Sequence, residues 1–107
     1  MKYLSTEHIL FIHYRLIEET GGRHGVRDLS LLISAQARPM STFGGSDLYP
    51  DIFTKTAALM HLLIKNHPFI DGNKRTAITS SSIFLVRNNY LLKVSNEELE
   101  KFTLKKQ

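Results

Sequence analysis

Cysteine is absent from this chain of 107 residues. Its absence excludes disulfides, thiolate metal ligands and cysteine nucleophiles, and it suits a reducing compartment. Long hydrophobic runs are also missing: none reaches the roughly 18 residues of a membrane span, and residues 1–8 lack the apolar stretch of a signal peptide. We therefore expect a soluble, cytoplasmic protein that does not bind a membrane.

A strong charge of one sign is missing as well. Fourteen Lys and Arg against ten Asp and Glu give a net charge of +4, which favours anionic partners such as nucleotides. A nucleic-acid-binding module needs a clustered basic face or a helix-turn-helix pattern, whereas the arginines at 15, 23, 27 and 38 are scattered along the chain. Nucleic acid is therefore not the expected partner.

The length and the 42% hydrophobic content predict one domain over residues 1–107 with one modest core. Gly, Pro and Asn divide this domain into about five helical segments, so the predicted fold class is all-α. The first helix begins at Ser5 or Thr6 and ends at Gly21. The second begins near Asp28 and ends before Pro39.

Residues 39–49 are rich in Gly, Ser and Thr around a lone Phe43, a composition typical of a loop or small hairpin. We interpret this segment as a flap. A third helix follows, with Pro50 in its first turn and enough apolar residues to lie in the core. The fourth begins near Gly72 and ends at Asn88, and Ser95 begins a capping box for a last helix.

The informative stretch is residues 67–77, which reads His-Pro-Phe-Ile-Asp-Gly-Asn-Lys-Arg-Thr-Ala. It places an imidazole, a carboxylate, an amide and two cations in a loop that leads into a helix. Unpaired N–H groups and about half a positive charge at a helix N-terminus stabilise a phosphate there. Gly72 allows close approach of a ligand, Asp71 can bind Mg²⁺, and His67 can accept a proton from an attacking hydroxyl.

Each of these residues also has an ordinary structural explanation. His67 could end a helix and hydrogen-bond a carbonyl, and Asp71 or Asn73 could be the N-cap of the following helix. Lys74 and Arg75 could be surface charges. Because all of these explanations would have to hold together, the combination favours an anion site.

The stretch resembles the Fic motif, H-P-F-x-[D/E]-G-N-x-R, and matches every fixed position. With the flap-like segment upstream, the similarity extends over most of the chain and points to the Doc, or death-on-curing, branch. The resemblance implies a compact helical bundle that uses ATP and Mg²⁺. Doc-like chains usually continue with one further C-terminal helix, which residues 1–107 would then lack.

The resemblance implies a role for each motif position. His67 would be the general base, Asp71 would hold Mg²⁺, and Arg75 would pair with phosphate through its guanidinium. Asn73 and the backbone N–H groups from Gly72 onward would bind phosphate, and the ring at position 69 would point into the core. The flap would align the backbone of a target protein by sheet-edge pairing, although a plain surface loop would fit its composition equally well.

Lys74 departs from the pattern of Fic proteins that transfer AMP, which commonly have Gly at this position. In the Doc branch a residue other than Gly at this position accompanies a nucleotide bound in the reversed orientation and transfer of the γ-phosphoryl group. The leading prediction is therefore a toxin that phosphorylates a Ser or Thr hydroxyl, with a threonine of a translation elongation factor as the implied target. Transfer of AMP to a protein hydroxyl is the alternative.

Some Fic proteins inhibit themselves through a helix with the pattern [S/T]-x-x-x-E-[G/N]. No glutamate in this sequence follows Ser or Thr by four positions, so the expected restraint is a separate antitoxin of the Phd type whose disordered tail folds on the toxin.

Two other classes of function remain as alternatives. A catalytically silent module that binds antitoxin or nucleic acid would need none of the proposed chemistry. A metal-dependent phosphohydrolase would use His61, His67 and Asp71 as ligands, but the two histidines are six residues apart and share no clean helical face.

Overall fold

The structure is a computed structural model that describes residues 1–90. Four α-helices carry most of this range, and the elements are α1 (Thr6–Thr20), α2 (Leu29–Ala37), a 3₁₀ turn (Arg38–Met40), β1 (Thr42–Phe43), β2 (Ser46–Asp47), α3 (Ile52–Asn66) and α4 (Asn73–Arg87). The predicted mostly-α bundle with a hairpin before its central helix is confirmed. The last helix predicted after Ser95 lies outside the described residues.

Side-chain caps explain where the first three helices begin. The Ser5 hydroxyl accepts a hydrogen bond from the backbone N–H of His8, and the His8 ring accepts one from the N–H of Ser5. The Asp28 carboxylate caps α2 by accepting a hydrogen bond from the N–H of Leu31. Asp51 caps α3, so the prediction that Pro50 occupies the first turn is wrong: the helix starts after the residue whose carboxylate satisfies its first free N–H groups.

Helix α3 is the centre of the domain, with α2 and the 3₁₀ turn on one side and α4 on another, while α1 packs against α4. Their contact faces form one hydrophobic core, whose buried members are Leu4, Ile9, Leu32, Ala35, Ile52, Leu59, Leu63, Phe69, Ala77 and Phe84. Phe69 of the motif stretch is fully buried. The loop ahead of α4 is therefore anchored in the core, as predicted for this ring.

Helix α3 is less deeply buried than predicted from its sequence. Phe53 is 61% exposed and Ile64 is 40% exposed, because the helices described here cover only part of the surface of α3. Small polar side chains take part in the core instead, since Thr76, Ser80 and Ser81 of α4 are buried. None of the described helices is both long and apolar enough to cross a membrane.

The segment predicted as a loop or hairpin is a hairpin, in which Thr42 pairs with Asp47 and Phe43 with Ser46. Its base is held by Lys55 of α3, which is only 2% exposed. The Lys55 ammonium donates to the Pro39 carbonyl at 3.1 Å and to the Asp47 carboxylate at 3.2 Å. Burial alone lowers the pKa of this ammonium, but its interactions with Tyr3 and Asp47 outweigh burial and raise the pKa. Lys55 therefore stays charged and ties the hairpin to the central helix.

Replacing Lys55 by Met tests this tie. The substitution preserves the buried alkyl chain but leaves the Pro39 carbonyl unpaired and frees Asp47, so we expect a loss of about 1–3 kcal/mol in the free energy of unfolding, together with faster proteolysis near the hairpin. Urea denaturation and limited proteolysis measure the two effects. Lys65→Met, on the exposed side of α3, is the control, and equal stability of the two variants would contradict the role of Lys55.

Candidate active site

Residues 67–72 form a tight loop between α3 and α4, which we call the motif loop. His67 ends α3 in the left-handed conformation, with φ 51° and ψ 54°, and Gly72 begins α4 with φ 75°. These two left-handed residues reverse the chain within one short segment. The loop and the first turn of α4 enclose a pocket of about 270 Å³ lined by His67, Ile70, Asp71, Gly72, Asn73, Lys74 and Arg75. The structure thus brings every predicted site residue to one pocket.

The N-terminus of α4 differs from those of α1, α2 and α3 because no side chain within residues 1–90 caps it. Gly72 is the N-cap, and the first bond within the helix runs from the N–H of Thr76 to the Gly72 carbonyl. The explanation of Asp71 or Asn73 as a capping residue is therefore wrong. The backbone N–H groups at 73–75 have no acceptor within the described residues, so they remain available to an anion at the positive end of the helix dipole.

Asp71 lies at the mouth of the pocket as a charged carboxylate. One of its oxygens accepts a hydrogen bond from the backbone N–H of Arg23 at 3.0 Å, and the other accepts one from the N–H of Gly72 at 2.8 Å. These two bonds, with a smaller effect from nearby Arg75, lower the pKa of Asp71. Its charge and exposure are those of an oxygen ligand for a hard cation.

Asn73 performs a task that its place in the motif does not reveal. Its side chain is buried, and it accepts a hydrogen bond from the N–H of Phe69 and donates one to the Phe69 carbonyl, both at 2.8 Å. The amide therefore closes the motif loop upon itself. Asn73 faces the anion site with its backbone N–H, whereas its side chain maintains the shape of the loop.

The two cations of the pocket are held differently. Arg75 donates to the Thr20 hydroxyl and to the Gly21 carbonyl at the end of α1, and its guanidinium lies 3.9 Å from the Asp71 carboxylate. Lys74 is exposed and makes no ion pair among residues 1–90. Arg75 is thus fixed beside the acidic group, while Lys74 can adjust to a ligand.

His67 is exposed at the pocket edge, and no hydrogen bond to its ring is found among the described residues. It does end α3, as the structural explanation required, but no carbonyl holds its imidazole. The described residues also contain no group of three His, Cys, Asp or Glu side chains suited to a metal ion. The phosphohydrolase alternative therefore has no ligand set in this part of the chain.

The segment that joins α1 to α2, residues 21–28, pairs with the motif loop backbone to backbone. The Pro68 carbonyl accepts hydrogen bonds from the N–H groups of Arg27 and Asp28, and the Ile70 N–H donates to the Gly25 carbonyl, so that Val26 and Phe69 form a β-bridge. The N–H of Arg23 adds a bond to the Asp71 side chain. The approach is close at Gly22, where an added Cβ would lie 2.7 Å from the Asp71 carboxylate. A glycine is required there by contact as well as by its φ of 119°.

His13 of α1 supports the same loop from the core side. Its ring stacks on Phe69 with centroids 3.9 Å apart, and its Nε2 donates to the Asp71 carbonyl at 2.8 Å. The side chain is buried, and burial lowers its pKa, although the hydrogen bond to Asp71 opposes the shift. His13 was missed by sequence reasoning because a lone histidine on an apolar helix face carries no signal of a distant partner.

Acid should therefore weaken the fold through His13. Because the pKa of His13 lies below its ordinary value of 6.5, the neutral ring contributes its full stability above about pH 6.5, and this contribution is lost as the pH falls through the lowered pKa. We expect the free energy of unfolding of the wild type to decrease with acidification more steeply than that of His13→Phe, measured by urea denaturation at a series of pH values. His61→Phe, on an exposed position of α3, should retain the wild-type slope; parallel curves for wild type and His13→Phe would refute this role.

Comparison with known proteins agrees with the geometry. A family model described as Fic/DOC family matches residues 3–85. "Toxin Doc" of Mycolicibacterium smegmatis (strain ATCC 700084 / mc(2)155) is 47% identical over 72 residues, which cover 67% of this chain and 55% of that protein. "Protein kinase doc" of Escherichia phage P1 is 30% identical over 88 residues, which cover 82% of this chain and 69% of the phage protein. The chain thus spans little more than half the length of the mycobacterial relative.

Proposed function

This chain belongs to the Fic/Doc family, and we propose that it is the toxin of a toxin–antitoxin pair that transfers a phosphoryl group from ATP to a hydroxyl of a target protein. One observation carries the proposal. The pocket gathers an exposed imidazole, a charged carboxylate and two cations around an uncapped helix N-terminus. A relative named as a toxin and another named as a protein kinase support the same assignment.

The phosphates of ATP would lie against the first turn of α4. The free N–H groups at 73–75 and the side chains of Lys74 and Arg75 offer a concentrated set of donors to phosphate oxygens. Asp71 would hold Mg²⁺ there, and this fits its exposed, charged carboxylate, since Mg²⁺ is commonly bound by one or two carboxylates together with phosphate oxygens and water. The bound ion would neutralise charge on the transferred group.

His67 would act as the general base. Its ring lies at the rim of the pocket and has no competing partner in residues 1–90, so it is free to take the proton of a target hydroxyl as the hydroxyl oxygen bonds to phosphorus. The bond from that phosphorus to the nucleotide breaks in the same transfer. Positioning and charge stabilisation would supply most of the catalysis, because phosphoryl transfer requires little covalent chemistry of the protein.

The hairpin would bring the target to this pocket. It is anchored by Lys55 at its base, and at its end Phe43 is 81% exposed. An exposed strand edge beside an exposed aromatic ring can pair with an extended segment of another protein. The family resemblance indicates a threonine of a translation elongation factor as the target and a Phd-type antitoxin as the inhibitor, and both belong to this proposal.

Radiolabelled ATP tests the reaction. We expect the purified protein to transfer label from γ-labelled ATP to a protein of a bacterial extract, with little transfer from α-labelled ATP. His67→Ala should abolish labelling and toxicity without a large change in melting temperature, because this exposed ring makes no hydrogen bond in the described fold. The control is His61→Ala, an exposed histidine on the same helix.

Each other outcome of the labelling experiment has a clear meaning. Label from the α position would favour the AMP-transfer alternative. If the fold is intact and label is transferred from neither nucleotide, the result would contradict the proposal that the chain is an enzyme and favour a catalytically silent module that binds an antitoxin. A large loss of stability in His67→Ala would assign this histidine a structural task instead.

Lys74→Gly tests whether Lys74 determines which group of the nucleotide is transferred. If the Lys74 cation directs the orientation of the nucleotide, we expect γ-label transfer to fall by about tenfold or more while α-label transfer does not fall. Lys74→Arg should retain most of the γ transfer because it retains the positive charge. Unchanged γ transfer in Lys74→Gly would show that the lysine does not determine the reaction.

A further inference from the structure

Arg27 holds the end of α3 through three consecutive carbonyl groups. Its Nε donates to the carbonyl of His67 at 2.6 Å, and its Nη2 donates to the carbonyl of Asn66 at 2.7 Å. Its backbone N–H donates to the carbonyl of Pro68, also at 2.7 Å. A single residue of the connector thus contacts the main chain immediately before, at and after the proposed base.

These carbonyls require a partner for a general reason. The last carbonyls of a helix have no donor within the helix, and they lie at the negative end of its dipole. The turn at His67 needs stabilising contacts for a second reason, since its left-handed φ of 51° is unfavourable for a residue with a Cβ. A planar guanidinium donates two parallel hydrogen bonds to neighbouring oxygens, which an ammonium group cannot do with the same fixed geometry.

We propose that Arg27 is a positioning residue for His67: its guanidinium fixes the left-handed turn that places the imidazole at the edge of the pocket. Arg27 does not line that pocket, so it acts through the backbone of His67 and not on the nucleotide. The neighbouring helix end is also fixed, because the Asn66 side chain donates to the Leu31 carbonyl at 3.0 Å. The inference rests on the proposed function only where it gives His67 the part of a base.

Arg27→Lys separates the side-chain contacts from the fold. The variant retains the positive charge and the backbone bond to Pro68, but it loses the paired donation to Asn66 and His67. We expect kcat to fall by about 10- to 100-fold, as for a misplaced catalytic group, with a nearly unchanged KM for ATP. Arg15→Lys is the matched control, since Arg15 is exposed and, in the described part of the chain, pairs only with Glu19 on α1, and it should leave kcat unchanged.

A second measurement is independent of activity. In NMR spectra of protein labelled in its backbone amides and histidine rings, Arg27→Lys should shift the signals of the His67 ring and of residues 66–69, whereas Arg15→Lys should not. If the wild type transfers no label from ATP, the proposed function fails, but these spectra still decide whether Arg27 fixes His67.

Several results would overturn the proposal. Unchanged His67 signals in Arg27→Lys would do so, whatever the activity. A raised KM with unchanged kcat would assign Arg27 to nucleotide binding. A variant that does not fold would show that Arg27 stabilises the whole domain and does not specifically position His67.

Discussion

The pairing of the α1–α2 connector with the motif loop is the constraint on which the site depends. A reversal between α3 and α4 through two left-handed residues, His67 and Gly72, is unstable as an isolated segment. The connector pairs with the backbone of this loop at Pro68 and Ile70, and the N–H of Arg23 holds the Asp71 carboxylate. Since the connector begins at the end of α1 and leads directly into α2, the arrangement of those helices determines the position of the loop.

The charges of the pocket follow from the same arrangement. Because the loop reaches α4 through a glycine, no side chain of residues 1–90 caps the positive end of the helix, and an anion can occupy it. Asp71 is kept charged by two backbone N–H groups, one from the connector and one from its own loop. The site thus combines the positive end of a helix, which attracts anions, with one charged carboxylate, and the proposed phosphoryl transfer would use both.

The motif loop and the hairpin are each linked to a neighbouring helix by a buried polar side chain. His13 joins α1 to the loop, and Lys55 joins α3 to the hairpin. Buried polar groups of this kind define a unique arrangement only when their partners are in place. The proposed catalytic and target-binding parts are therefore both attached to the helical core.

The sequence by itself determined the helical class, the starts of α1, α2 and α4 and the motif, because caps, glycines and apolar spacing act over a few residues. It also assigned His67, Asp71 and Arg75 to one site, since they lie within nine positions of each other. Only the tertiary structure decided how that site is held. His13 meets Asp71 across 58 positions, and Arg27 meets His67 across 40. Contacts between distant segments depend on how the helices pack, and local sequence patterns carry no record of them.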